Sequence, residues 1–188
     1  MSYLREEPLD EQDPLFAKVK QRFGFIPNFY RAQAMRPDLI QAETQLGNAI
    51  INKDSALTRQ QKEYIFLVSS AANLSTYCVT THCEMIRMLG IQGPEPEQIA
   101  VDHTATGLPI GVKALLNFAK KLTLQPTKLS RADIDALRTF AYTDEQILEA
   151  VVLVAFAKFA NYVAFGLGTV PDFDSSKIEA RFAASSAR

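Results

Sequence analysis

The sequence predicts an all-α protein folded as one domain. Three observations predict it: strand-type alternation is nearly absent, apolar residues recur at helical spacing, and capping signals punctuate the chain at short intervals. The 188 residues, 47% of them hydrophobic, can form a core without disulfide or metal staples. A single all-helical domain is expected over 1–188. It divides into N-terminal helices over 14–52, a helical hairpin over 57–90, a second helical half over 95–168 and a C-terminal tail over 169–188.

Each element has its own signal. Asp13-Pro14 opens a helix with Pro at its first position, and Gly24 closes it. Ile26-Pro27-Asn28-Phe29 restarts the chain into a short helix that Arg36-Pro37 ends. From Asp38 to Asn52 the apolar rhythm is Leu39, Ala42, Leu46, Ala49, Ile50. Leu57-Thr58-Arg59-Gln60-Gln61 leads into a very apolar stretch, Tyr64 to Ala72, that breaks at Asn73-Leu74-Ser75. The next helix runs to Leu89, with Gly90 as its stop. Gly93-Pro94-Glu95-Pro96 precedes a short helix through Ile99, and Pro109 starts another that ends near Gln125-Pro126. Ser130-Arg131-Ala132-Asp133 resembles a capping box with Asp in the last place, whereas Thr143-Asp144-Glu145-Gln146 matches the pattern in full.

The run from Ile147 to Gly168 is long and apolar enough to invite a membrane reading. Lys158 and Asn161 interrupt it, and a Lys at mid-membrane depth costs several kcal/mol, so a buried helix of a soluble protein is expected. This helix matches the earlier one at an offset of 86: Gln60, Glu63, Leu67, Val68 and Ala71 meet Gln146, Glu149, Leu153, Val154 and Ala157. The match is either a degenerate two-fold repeat, in which the first copy alone kept its reactive residues, or a chance likeness of two apolar helices.

Composition excludes several classes. Lys+Arg 20 against Asp+Glu 21 leaves a net charge of −1, without the basic footprint of a nucleic-acid binder. The N-terminus lacks the basic-then-apolar pattern of a secretory signal. Two cysteines, Cys78 and Cys83, are no disulfide framework, so a reducing, cytoplasmic setting is expected. No Gly-rich phosphate loop occurs, and Cys78, His82 and Cys83 on one helix cannot all face one tetrahedral ion. Neither a cofactor nor a metal is therefore expected.

One set of residues could do chemistry. Cys78 and His82, four apart on one helix, lie on the same face about 5–6 Å apart at Cβ. With Ser75 as N-cap, Cys78 is the third helical residue, where free amides and the helix dipole favour a thiolate. Glu63 is about 15 Å before the turn at Asn73 and His82 about 13.5 Å after it, so a hairpin brings them opposite each other. Glu63 would then orient His82 as base, and Cys78 would act as nucleophile or peroxide reductant. On spacing alone the bland alternative stays open: a small buried Cys78, a satisfied core His82 and a surface Glu63. Tyr77 either donates into a pocket or packs; Asp102-His103 reads as a polar helix end; Cys83 faces away from the Cys78–His82 stripe.

The stretches Lys62-Glu63-Tyr64-Ile65-Phe66-Leu67-Val68-Ser69-Ser70 and Tyr77-Cys78-Val79-Thr80-Thr81-His82-Cys83-Glu84-Met85-Ile86-Arg87-Met88-Leu89-Gly90 resemble the alkylhydroperoxidase D-like branch of the carboxymuconolactone decarboxylase family. The family motif is a Glu, eleven residues, then Cys-x-x-Cys-x-x-x-His; Glu63, Cys78 and His82 fall on its Glu, second Cys and His. Ile26-Pro27-Asn28-Phe29 and Arg36-Pro37-Asp38-Leu39 are similar to the N-terminal part of the longer, peroxidase-related members. The resemblance, over residues 14 to 170, implies a compact AhpD-like helical fold, an obligate homo-oligomer (dimer, trimer or hexamer) and thiol-dependent peroxidase activity in an antioxidant role. It makes Cys78 the peroxidatic thiol, His82 the base and Glu63 its relay partner. A lipoyl group or thioredoxin-like protein would serve as external thiol reductant for a small hydroperoxide substrate.

Ser75 departs from the family pattern, standing where the first, resolving Cys belongs. A hydroxyl cannot close a disulfide with a sulfenic acid. In an intact helix Cys83 lies about 8.6 Å from Cys78 between Cα atoms, beyond disulfide reach. An external thiol resolves Cys78, or the helix opens locally, or turnover is lost. A decarboxylase-like lyase on a small lactone or keto acid and a non-catalytic helical oligomer remain as alternatives. The apolar helix from Ile147 and the 12 Phe residues lead to the expectation that subunits bury large surfaces together.

Overall fold

The computed structural model describes residues 2–5, 7–9, 12–53 and 55–186. Among them the structure is helical and contains no strand. Ten α-helices follow in order: α1 Pro14–Phe23, α2 Asn28–Arg31, α3 Pro37–Gly47, α4 Arg59–Ala72, α5 Thr76–Met88, α6 Pro96–Asp102, α7 Ile110–Leu124, α8 Arg131–Thr139, α9 Asp144–Leu167 and α10 Ser176–Ser186. The boundaries follow the punctuation. Asp13 accepts from the Leu15 amide ahead of α1, and Gly24 ends that helix at φ 79°, a left-handed value that glycine adopts freely. The α3 helix runs into a π-helical turn, Asn48–Asn52, where one continuous α-helix was expected. Widened turns of this kind gather at functional sites.

Helix α4 is the centre of the molecule. Every residue from Lys62 to Ala71 is buried. It packs on α5, α6, α7 and α9, so its apolar residues line all sides instead of one stripe. Its Lys62, 1% exposed, is the costly exception. The ammonium donates to Lys53 O at 2.7 Å and Ser55 Oγ at 2.5 Å, which replaces the lost water. The turn into α5 passes through Leu74 at φ 59°, a strained value for a side chain other than glycine.

Helix α9 is the one helix of the described residues long and apolar enough to cross a membrane. Here one of its faces is core, packed on α4 and α7. The two polar residues that interrupted its sequence are both satisfied by protein. Lys158 Nζ donates to Thr123 O at 2.7 Å, and buried Asn161 donates to Ser70 Oγ at 2.9 Å and accepts from Asn73 Nδ2 at 2.7 Å. The other face is exposed and apolar, with Leu148, Val152, Phe159, Tyr162 and Phe165.

The expected C-terminal tail holds more structure than that word allows. Past α9, Asp172 accepts from the Asn28 amide at 3.0 Å and from Tyr77 Oη at 2.6 Å, and α10 follows and packs on α5. This segment joins the beginning of the chain to the hairpin.

Candidate active site

The hairpin α4–α5 brings Glu63 and His82 together. His82 Nδ1 and Glu63 Oε2 are 2.6 Å apart. Glu63 has no exposed surface, which disposes of the surface-charge alternative. Its second oxygen accepts from Arg59 Nε at 2.7 Å, one helical turn earlier on α4. Burial alone pushes the Glu63 carboxyl up, but the facing charges of His82 and Arg59 outweigh it and hold the group below its ordinary range. An ionised Glu63 accepts the Nδ1 proton, so the neutral ring keeps its lone pair on Nε2. The ring lies flat on Phe66, with centroids 3.8 Å apart and planes at 20°. Orientation of His82 is thus fixed twice, by a carboxylate and by a stacking face.

Arg59 is itself positioned: its Nη1 donates to Asn52 Oδ1 at 2.8 Å. Asn52 is the last residue of the π-helical turn. The line Asn52–Arg59–Glu63–His82 connects the N-terminal helices to the ring. The sequence reading passed over Arg59, although its spacing of four from Glu63 is the ordinary signal for a helical ion pair. Asn52 carried no such signal, because its partner depends on how the turn widens.

Cys78 and His82 both line one cavity of about 370 Å³, together with Glu63, Arg59 and Tyr77. Its walls are largely aromatic and aliphatic, with Phe23, Phe29, Phe66, Phe156 and Phe159 among them. Cys78 is only 4% exposed. Burial pushes its thiol upward, while Ser75 and Asn161 act in the opposite direction as hydrogen-bonding neighbours. The expected thiolate-favouring helix start is therefore corrected: desolvation outweighs the end of the helix at this depth. Asn161 is a second residue of the site that sequence inspection did not find, since it comes from α9, far away in the chain.

Ser75 occupies the N-cap position of α5, but its side chain makes no capping bond, contrary to expectation. The hydroxyl is buried without a partner of normal hydrogen-bond geometry. Tyr77 lines the cavity, yet its hydroxyl is committed elsewhere. It donates to Asp172 and accepts from the Phe29 amide at 3.1 Å, while its ring stacks on Phe29 with centroids 6.0 Å apart. Of the two readings of Tyr77, donation into a pocket or packing, its contacts agree with the second: the side chain is a structural tie.

Cys83 lies in the core at 2% exposure, outside the cavity lining, and its thiol is pushed up to about 12 by burial and by Glu97. Both cysteines are free thiols. His103 is buried and paired with Asn117 Oδ1 at 2.8 Å, and Asp102 accepts from the Thr104 amide, as a polar helix end does. Among the described residues no cluster of three metal-ligating side chains occurs.

Comparison with known proteins places this fold. No protein-family model matches the chain. Human Sestrin-2 is 24% identical over 175 residues, 92% of this chain, and mouse Sestrin-2 is 23% identical over the same length. The chain spans 35% of the length of these curated relatives. Among solved structures, an alkylhydroperoxidase AhpD core, a peroxidase-related protein from Ralstonia eutropha JMP134, superposes with a TM-score of 0.84 at 30% identity, covering 91% of this chain and 92% of that one. A peroxidase-related protein from Silicibacter sp. TM1040 gives 0.79 at 24% identity, over 92% and 97%. The debrominase Bmp8, in a complex with 2,3,4-tribromopyrrole, gives 0.78 at 20% identity, over 98% and 99%. The last two share the fold. With the Ralstonia protein matched over nearly its whole length, this chain belongs to the AhpD-like family of peroxidase-related proteins.

Proposed function

We propose that the protein is a thiol-dependent peroxidase that works through one cysteine, Cys78. The observation that carries this reading is the buried Glu63–His82 pair in the wall of the cavity that Cys78 also lines. A thiol whose ionisation is opposed by burial needs a nearby base, and His82, whose Nε2 is the ring nitrogen that Glu63 leaves free, supplies one. Proton transfer from Cys78 to His82 gives a thiolate and an imidazolium balanced by Glu63. The thiolate attacks the distal oxygen of a small hydroperoxide; the S–O bond forms as the O–O bond breaks. The departing alkoxide takes the proton from His82 and leaves as an alcohol. Cys78 is then a sulfenic acid.

An external thiol attacks that sulfur, releasing water and forming a mixed disulfide, and a second thiol frees Cys78 as a disulfide of the reductant leaves. The net reaction consumes one hydroperoxide and two thiols and yields alcohol, water and one disulfide. Ser75 in the resolving position and the burial of Cys83 outside the cavity both favour an external reductant, such as a lipoyl group or thioredoxin-like protein, in the reducing cytoplasm. The same reading includes a homo-oligomer joined through the exposed apolar face of α9, since a stripe of Leu148, Val152, Phe159, Tyr162 and Phe165 gains by leaving water.

Sulfenic acid trapping with cumene hydroperoxide tests the chemistry. Cys78 takes the label, Cys78→Ser does not, and the protein consumes peroxide with dihydrolipoamide or reduced thioredoxin. Equal labelling of the Cys78→Ser variant sinks the assignment. Labelling without turnover on any reductant, glutathione included, leaves a scaffold that has lost catalysis.

A further inference from the structure

The cavity holds polar groups that the peroxidase chemistry does not use. Glu43, on α3, lines it and is 8% exposed. One carboxyl oxygen, Oε1, accepts from Gln33 Nε2 at 3.0 Å, and Gln33 is held in turn by Phe29 O at 3.2 Å. Among the described residues Oε2 has no hydrogen-bond partner. The next residue, Thr44, also lines the cavity, and its Oγ1 is buried with no partner at all. A carboxyl with one oxygen unpartnered in an aromatic-walled cavity is costly unless something occupies it.

We propose that Glu43 is a second polar anchor of this cavity, and that its ligand is an apolar molecule bearing a hydrogen-bond-donating alcohol or amine besides its reacting group. The proposal rests on the peroxidase reading for the identity of that reacting group. Its support is independent of that chemistry. The anchor comes from α3, whereas Cys78, His82 and Glu63 come from the α4–α5 hairpin. A carboxyl with a free oxygen accepts from a donor on the ligand in either of its protonation states. A ligand carboxylate meets the opposite fate, because two like charges in a low-dielectric cavity repel.

Every other charged group near the cavity is accounted for. Arg59, Glu63 and His82 are engaged with one another, and Lys18 of α1 is exposed to solvent. The Tyr77 hydroxyl belongs to Asp172, and Tyr30 of α2 is the remaining phenol in the lining. Burial raises the Glu43 carboxyl to about 7, so its charge, and with it the selection of amine over carboxylate, grows across neutrality.

The test uses three probes of one shape and no peroxide: 4-phenylbutylamine, 4-phenylbutan-1-ol and 4-phenylbutyrate. Calorimetric titration at about pH 8 should show the wild-type protein binding the amine about tenfold more tightly than the carboxylate, a preference that shrinks at about pH 6. Glu43→Leu, an apolar change that removes a buried acid, should erase the preference with its helical circular dichroism intact. Glu43→Gln should keep the alcohol and lose the preference for the amine. Equal selectivity in the wild-type protein and Glu43→Leu overturns the anchor, as does failure of the wild-type protein to bind any of the three. Sulfenate trapping on the wild-type protein, run beside the titrations, separates the two readings. Selectivity without sulfenate formation removes the peroxidase alone, and sulfenate formation without selectivity removes the anchor alone.

Discussion

Helices α4 and α9 begin alike and end in different roles. Each starts from a Thr-x-x-Gln capping box, Thr58 with Gln61 and Thr143 with Gln146, and each carries a glutamate in its second turn. Glu63 is the fifth residue after its cap and Glu149 the sixth after its own, a rotation of about 100° around the helix. That single step separates their environments. Glu63 is sealed between Arg59 and His82. Glu149 accepts from the backbone amides of Ala56 at 3.2 Å and Leu57 at 2.9 Å, bracing the loop that leads into α4. The capping boxes are spaced 85 apart, one less than the offset of the sequence match, which is why the two aligned glutamates differ. A second difference lies at the far ends: α4 stops at Ala72 and the chain doubles back as α5, whereas α9 continues unbroken to Leu167. Only a helix that stops there can lay a cysteine and a histidine back over its own glutamate.

The contrast is broken most sharply at the glutamates themselves. Glu63→Gln cannot balance an imidazolium, and should slow sulfenate formation at neutral pH by about a hundredfold in stopped-flow assays. Glu149→Gln should leave that rate unchanged and cost about 1 kcal/mol in urea denaturation, through weaker bonds to two amides. Equal loss of rate in both variants would show that the pair acts through the fold and not through the ring.

A smaller effect separates the two acids that line the cavity. Glu63 is held below its ordinary range and Glu43 is raised from 4.5 to about 7. Between those two pH values the unfolded chain gives up the Glu43 proton that the folded protein keeps, so this group makes stability fall as pH rises. Glu43→Gln should recover up to about 3 kcal/mol above neutrality and nothing below about pH 4. For Glu63 the sign is opposite: its contribution is present above the ordinary carboxylate range and is lost as acid protonates it in the folded state. Paired denaturation curves against pH for the two Gln variants check both signs.

Smallest is the turn that ends α4. Leu74 sits at φ 59° and is 44% exposed. Leu74→Gly should raise stability by about 0.5–1 kcal/mol, seen as a melting temperature higher by about 1–4 °C. An unchanged melting temperature would mean that apolar contacts of Leu74 offset the strain.

What the sequence disclosed divides along the same line. Helix starts, the break at Asn73-Leu74-Ser75 and the meeting of Glu63 with His82 are local or depend on counting residues from one turn, and all were legible. Asn161, Asp172 and Glu43 come from helices and loops distant in the chain; Asn161 stood out only as a polar break in an apolar run, and nothing in the neighbourhoods of the other two marks them. The widened turn at Asn48–Asn52 was read as plain α-helix, since apolar spacing does not distinguish the two over five residues. The protonation preference of Cys78 was misjudged for a related reason: position on a helix is visible in sequence, and depth is not. Ser75 illustrates both, correctly located as an N-cap and yet with its hydroxyl unused for capping.

Tyr77 adds a consequence for the integrity of the whole chain. Its hydroxyl lies between the Phe29 amide and the Asp172 carboxylate, and Asp172 also holds the Asn28 amide. The start of α2 and the segment after α9 are thereby latched to the helix that bears Cys78. A protease cut between Gly168 and Asp172 would touch no residue of the reacting pair. It would still loosen the aromatic wall formed by Phe29 and admit water to a thiol now kept dry. Chemistry on the α4–α5 hairpin is guarded by segments far from it in the chain.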